Sequence, residues 1–518
     1  MKRIYTLLFL VVAAFSSCTD LKEEILDEKD GAADMTTVES IVAPAYAQLR
    51  DLQSRSGIWL AIESCTDEVA FPTRGANWNN VDYRTLFTHD YDQLNGYVKN
   101  TWDGLNIGSA KANIALYYLS NLEQNDKVKT YSAEVRFIRA LYMYQINDLF
   151  GKLLVREISD MDYKGDAKIL SRKDAVQFIE TELKAIIPIL KNKGEVPYGR
   201  ITRAAAQMLL AKLYLNNQVY TGTAPSFADG QGRWKETVDL CDEIVKGNYT
   251  LADDYWKLYL SDNAAYSNQT ETILPIIYNS FVGMAGIPWT NQTLGYNQKF
   301  GSYTSLWNGC CTTPTFYDTW DKTDPRFKDD RLKSKTGFNL GFLEGQQYDV
   351  KGNPIETVDK TIKLLNYTRD FSIANSPENA GIRVVKYAPD PNTTKPGSSE
   401  NDFQYFRLSD VYLMRAEAKF RSGDADGALA DINMVRGVRK VKLLTKDELD
   451  LTKIYNERGF EFYWEGSRRN DMVRFNKYCE PRYEKPKETP AYKILFPIPI
   501  TELEANPKIK QNPGYVAR

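Results

Sequence analysis

The chain has 518 residues, 43% apolar and 26% charged, a globular composition long enough to bury one large core or two fused ones. The formal charge is −2, so no basic excess exists to neutralise phosphates, which argues against nucleic-acid binding. A single histidine, His89, makes a Ser–His–Asp triad or a zinc site a poor fit, and no metal or cofactor is expected. His89 itself reads as a polar loop residue.

The N-terminus comes first. Lys2 and Arg3 precede an apolar run, Ile4 to Phe15, too short to span a bilayer. Ser16, Ser17 and Cys18 follow. Residues 1–17 read as a secretory signal peptide, and FSSC resembles the bacterial lipobox. That resemblance implies cleavage before Cys18 and lipidation of its thiol, with several acyl chains giving stable anchoring. The acidic stretch TDLKEEILDE resembles the surface-export signal of Bacteroidetes lipoproteins. No later segment is long and apolar enough to cross a membrane. Beyond Cys18 the cysteines number five, an odd count without metal spacing, so mostly buried thiols are expected.

Helical patterns follow. Over residues 131–150 the apolar positions recur at steps of three and four, and Gly151 is a C-cap candidate. Residues 202–216 are rich in Ala and Leu behind an N-capping Thr202, and 233–246 form an amphipathic helix ending before Gly247. Between about 250 and 400 the pattern breaks into Gly, Asn, Ser, Thr and Pro with short apolar runs, ETILPIIYNS and IRVVKYAP. This reads as loops and short strands laid over a helical scaffold, with 391–402 an exposed loop. In 406–436, Gly423 and Ala428 mark a tetratricopeptide-like helix–turn–helix. DADG within it is the inter-helix turn, since the remaining ligands of a calcium loop are missing. The C-terminal FPIPITELEANPKIKQNPGY reads as Pro-punctuated coil.

Several blocks together resemble the SusD/RagB family. The most specific is ERGFEFYWEGSRRNDMVRF, in which Glu457, Arg458, Glu461, Phe462, Glu465, Gly466, Arg468, Asp471 and Arg474 match the family pattern. Met472 and Phe475 are mild departures from its usual Leu and Trp. The segments AEVRFIRALYMYQINDLFG, GRITRAAAQMLLAKLYL and YFRLSDVYLMRAEAKF also match. The resemblance implies a mostly α fold: a tetratricopeptide-like helix-pair scaffold, mainly 36–250 and 403–480, with a loop-rich, ligand-binding insert at roughly 250–402. Residues 18–518 would then form one SusD-like unit. It also implies a non-catalytic, lipid-anchored protein of the outer membrane that faces the cell exterior. Such a protein captures a glycan and delivers it to a SusC-type TonB-dependent transporter. The alternative is the same architecture binding peptides, as RagB-like relatives are associated with, or another nutrient. A lipid-anchored glycoside hydrolase is a third reading. Against it, Glu457, Glu461 and Glu465 lie four apart on one helix flank among arginines, which reads as a paired-charge network and not as two carboxyls facing across a sugar.

Sugar faces stack on flat rings while amides bond hydroxyls. Two loop segments offer that chemistry. FPTRGANWNNVDY (71–83) carries Trp78 beside Asn79, and GIPWTNQTLGYNQKFGSYTSLW (286–307) carries Trp289, Tyr296, Tyr303 and Trp307. Those six are the expected ligand-binding residues. Trp59, Trp102, Trp234, Trp256 and Trp464 sit in helical or motif-flanking contexts and read as core.

Overall fold

The computed structural model describes residues 37–159, 167–278, 287–359, 362–390 and 399–516. The signal segment, Cys18, the acidic stretch and most of the 391–402 loop lie outside them. The chain is mostly helical. The principal helices are α1 (Val38–Gln48), α2 (Ile58–Ser64), α3 (Val81–Thr88), α4 (Gly96–Ser120), α5 (Asp126–Phe150), α6 (Arg172–Ile186), α7 (Arg203–Leu215) and α8 (Trp234–Val245). After them come α9 (Trp289–Thr293), α10 (Leu408–Arg421), α11 (Ala425–Val438), α12 (Leu451–Phe462) and α13 (Arg468–Arg474).

Their boundaries follow from capping chemistry. Asn95, Asn125, Ser171 and Thr202 each accept hydrogen bonds from first-turn backbone amides of α4, α5, α6 and α7. Gly151 ends α5 in left-handed backbone at φ 63°. Asp424 accepts from the Gly427 amide and starts α11, so DADG is the inter-helix turn.

The helices pack in succession: α4 on α5, α5 on α6, α6 on α7, α7 on α8, α8 on α10, and α10 on α11. This is the stacking of helix pairs in a repeat scaffold. Close approach needs small residues. At Gly108 of α4 an added Cβ would lie 2.3 Å from the Tyr142 ring of α5, so the tyrosine seats on bare backbone. Trp59, Trp102, Trp256 and Trp464 are buried as expected, and Trp234 is half-buried. The five described cysteines are free and buried.

The strands are short: β1 (Lys152–Val155), β2 (Lys168–Ser171), β3 (Thr272–Ile276), β4 (Lys328–Asp329), β5 (Leu340–Leu343), β6 (Gly345–Gln346), β7 (Asn366–Tyr367), β8 (Arg383–Val385) and β9 (Phe403–Arg407). All pairings are antiparallel: β1 with β2, β3 with β9, β4–β5–β8 in that order, and β6 with β7. The β3–β9 pair, Thr272 opposite Arg407 and Ile276 opposite Phe403, brings the entry and exit of the irregular region side by side. The two expected strands are β3 and β8.

The Glu457–Glu465 carboxylates lie in a buried ion network that fastens this region to the scaffold. Glu461 accepts from Arg407 Nη1 at 2.6 Å, Arg439 Nη2 at 2.7 Å and Arg326 Nη1 at 2.9 Å. Arg326 also bonds Asp324 and Glu457, Arg407 bonds Glu271 and Glu465, and Arg439 bonds Glu271. Arg436 closes on Glu457, and Lys386 on Glu465. Arg326, Lys386, Arg407, Arg436 and Arg439 therefore balance Glu271, Asp324, Glu457, Glu461 and Glu465, five charges of each sign. Burial alone would raise the Glu461 carboxyl, but Arg439, Arg407 and Arg326 hold it well below the usual carboxylate range.

The structure corrects several readings. Glu457 and Glu461 share α12, but that helix ends at Phe462, so Glu465 lies in the turn beyond it and joins the network from there. His89 lies in the turn after α3, as a loop residue, but is buried there. It caps α3 in left-handed backbone and is 2% exposed, with its ring stacked on Tyr478 at 4.2 Å and Nδ1 3.0 Å from Thr489 Oγ1. Burial, with Arg482 beside it, pulls its pKa well below the ordinary value, so the imidazole is neutral. The C-terminal coil also contains a helical turn, Ile500–Ala505.

Candidate ligand-binding site

The two aromatic loop segments meet. Trp78 donates its indole Nε1–H to the Trp307 carbonyl at 2.8 Å, and Asn77 Nδ2 donates to the Tyr296 hydroxyl at 2.8 Å. Together with Asn79, Asn80, Tyr83, Tyr97 and Leu306 these residues line an open cleft of about 490 Å³.

Local backbone explains how the rings come to the surface. The 71–83 segment turns tightly, with Arg74 and Asn77 bonding each other's backbone in both directions. Trp78 sits at φ 54°, a left-handed conformation that is uncommon for a bulky residue and marks a position held by its surroundings. What holds it is contact. Its indole packs over Gly309, where an added Cβ would lie 2.4 Å from the ring. Phe71 and Tyr83 pack against it at 5.4 and 5.5 Å, and Tyr83 stacks on Tyr97 of α4 at 4.8 Å. Asn80 then caps α3 through the Asp82 amide, which fixes the exit of the loop.

The opposite wall hangs from α9. The Trp307 amide donates to Asn291 O at 2.8 Å and the Gly309 amide to Gln292 O at 2.6 Å. Under this wall Arg74 is buried and donates to the Pro377, Ala380 and Gly309 carbonyls. Burial raises the pKa of Tyr83, Tyr97 and Tyr296, so each hydroxyl is a neutral donor and acceptor. A wall of half-buried rings fringed by three asparagine amides can stack apolar faces and bond hydroxyls at once.

Of the six expected residues, Trp78, Asn79, Tyr296 and Trp307 line this cleft. Trp289 and Tyr303 do not. Trp289 is 3% exposed and stacks on Trp59 at 4.2 Å, with Tyr387 and Phe403 edge-on. Tyr303 is 1% exposed and stacks on Phe300 at 4.6 Å. Both rings have their faces taken by the core, which removes them from the ligand-binding set. The sequence reading missed Tyr97, which lines the cleft from the first turn of α4 and carries no local signal of exposure to ligand. Among the described residues no group of three or more His, Cys, Asp or Glu is arranged to hold a metal.

Comparison with known proteins adds the following. A model described as the SusD family matches residues 308–515, and one described as starch-binding associating with outer membrane matches 23–215. The starch-binding protein SusD of Bacteroides thetaiotaomicron is 28% identical over 430 residues, covering 74% of this chain and 72% of that protein. The SusD-like protein P38 of Formosa agariphila is 29% identical over 437 residues, covering 80% and 79%. Among solved structures, a SusD superfamily protein from Parabacteroides distasonis superposes with a TM-score of 0.72 at 21% identity, over 92% of this chain and 99% of that one. Surface glycan-binding protein A of Bacteroides thetaiotaomicron, solved with laminarihexaose, gives 0.66 at 18% identity over 92% and 98%. At these identities the solved structures establish the fold. With these family models matching 23–215 and 308–515, and relatives matching in sequence and fold along most of its length, the chain is SusD-like in sequence and in fold.

Proposed function

We propose that the cleft binds a glycan and that the protein captures this nutrient for a SusC-type TonB-dependent transporter, without catalysing any reaction. The observation that carries the reading is the cleft itself. Trp78, Trp307, Tyr296, Tyr83 and Tyr97 surround one open space, with Asn77, Asn79 and Asn80 at its rim and no carboxylate among the lining residues. Rings beside amides match the two faces of a sugar, whereas a hydrolase needs two facing carboxyls. Relatives named as starch-binding and glycan-binding support the same reading. Residues 18–518 act as one unit. The scaffold helices meet the transporter, and the cleft, built from the 71–83 turn and the insert, meets the ligand. Cys18 is the lipidated first residue of the mature protein, anchored in the outer membrane and facing the exterior. The family description of outer-membrane association supports that placement.

Titration calorimetry against a polysaccharide panel tests the reading. Trp78→Ala and Trp307→Ala should each weaken binding about tenfold, near the upper end of one aromatic contact, without lowering the Tm. Oligosaccharides should bind more tightly than monosaccharides, which cannot cover two platforms. Wild-type affinity in both variants, or release of a shortened glycan, would overturn the proposal.

A further inference from the structure

The lining of the cleft is neutral, but the groups behind and beside it are not balanced. Arg55 follows the helical turn Leu49–Gln53 and is exposed. Its guanidinium covers one face of the Trp307 ring, 4.5 Å from the centroid, so a sugar has only the other face to stack on. Its position is fixed from α4, because Asn100 Nδ2 donates to the neighbouring Ser56 carbonyl at 2.8 Å. Among the described residues Arg55 makes no ion pair, so the five donors of its planar fork remain for solvent or ligand.

Two carboxylates act on the cleft tyrosines, Asp82 on Tyr83 and Tyr97 and Glu378 on Tyr296, and each also accepts a backbone amide. Asp82 accepts from the Gly96 amide at 3.1 Å, and Glu378 from the Val358 amide at 2.9 Å. Two more cations lie under the Tyr296 wall. Arg74 donates only to carbonyls, and Arg383 donates to Asn308 Oδ1 at 2.8 Å and to carbonyls. Neither makes an ion pair among the described residues. The Glu378 carboxylate interacts with both and offsets one of the two charges, so the group behind the wall keeps one net positive charge, whose field adds to that of Arg55.

We propose that Arg55 is a specificity-determining contact, and that the cleft selects glycans bearing an oxyanion, a ring carboxylate or a sulfate ester, beside the sugar stacked at Trp307. A planar guanidinium held against an indole is preorganised for a two-oxygen partner and loses little freedom on binding it. A neutral sugar uses the same rings but leaves that cation without a partner of opposite charge. This inference rests on the glycan-binding reading above.

The test uses the full mature chain and three oligosaccharide sets of matched length: unsubstituted, uronate-containing and sulfated. Wild type, Arg55→Gln and Trp307→Ala are titrated at low and high salt. Wild type should bind at least one anionic set about tenfold more tightly than the unsubstituted one, the scale of one charge-assisted contact, and added salt should narrow the gap. Which anionic set gains identifies the oxyanion. Arg55→Gln should bring the ratio of anionic to neutral affinity close to one at unchanged Tm, while Trp307→Ala should weaken all sets together. Neutral glycans bound through Trp307 with no anionic preference would overturn the role of Arg55 alone. An equal loss for all sets in Arg55→Gln would do the same, reducing Arg55 to a support for the ring. No binding by wild type to any set would overturn both readings.

Discussion

Glu461→Gln is the sharpest perturbation of the fold, because it removes one charge and almost no volume. The carboxylate receives Arg326, Arg407 and Arg439 at 2.6 to 2.9 Å, and it is fully buried. The variant leaves five cations, four of them fully buried, against four carboxylates and places an amide donor against guanidinium donors. Breaking one partner of a buried pair costs about 3–5 kcal/mol. Unfolding entropy near 2 cal/mol/K per residue gives about 1 kcal/mol/K for this chain, so the Tm should fall by about 3–5 °C. Calorimetry of the full chain reads this directly. Glu243→Gln, which removes an exposed pair with Lys246, serves as the control and should leave the Tm where it was. The acid limb supplies a second readout. A carboxyl depressed in the folded state contributes stability above its unfolded pKa and loses it as pH falls through the folded one. Wild type should therefore lose stability below about pH 4.5 more steeply than the variant. A Glu461→Gln protein melting with wild type would refute the view that this network holds the insert to the scaffold.

The opposite sign is expected at Glu63. Burial raises its carboxyl to about 8, only partly offset by the Gly466 amide at 2.5 Å. The folded state thus keeps a proton that the unfolded chain releases, and stability declines as pH rises from about 4.5 to about 8. Glu63→Gln should flatten that decline in denaturant titrations, with the neighbouring Glu68, also raised, keeping part of the slope; superimposable pH profiles would count against a protonated Glu63. Gly309→Ala should push the Trp78 indole off its seat and weaken glycan binding about tenfold, on the scale of losing one stacked ring, and wild-type affinity would show that the ring position does not matter.

Much of the scaffold was legible because its signals are local. Thr202 and Gly151 mark helix ends through their own side chain or lack of one, and the steps of three and four in 131–150 report the face that α5 buries. The charge network was legible as a spacing, Glu457–Glu461–Glu465, although the partners Arg326, Lys386 and Glu271 come from elsewhere in the chain. The cleft was legible only in part. Trp78 and Trp289 look alike in sequence, each an indole within two residues of an asparagine in a polar loop. What separates them is long-range: Trp289 opens α9 and meets Trp59, whereas Trp78 is stopped at the surface by Gly309. The burial of His89 was missed for the same reason. It is made by Tyr478 and Thr489, which no local pattern connects to it.

The ten charges of the network and the residues of the cleft do not overlap. A substitution at Trp78, Asn79, Tyr296 or Trp307 leaves every ion pair of the clamp intact, and one at Glu461 leaves the cleft lining chemically unchanged. Changes in what the cleft recognises and changes in what holds the fold can therefore be made at separate positions. A few loop side chains can be rewritten without touching the clamp, whereas within the clamp no charge can be changed alone, because each depends on its partners.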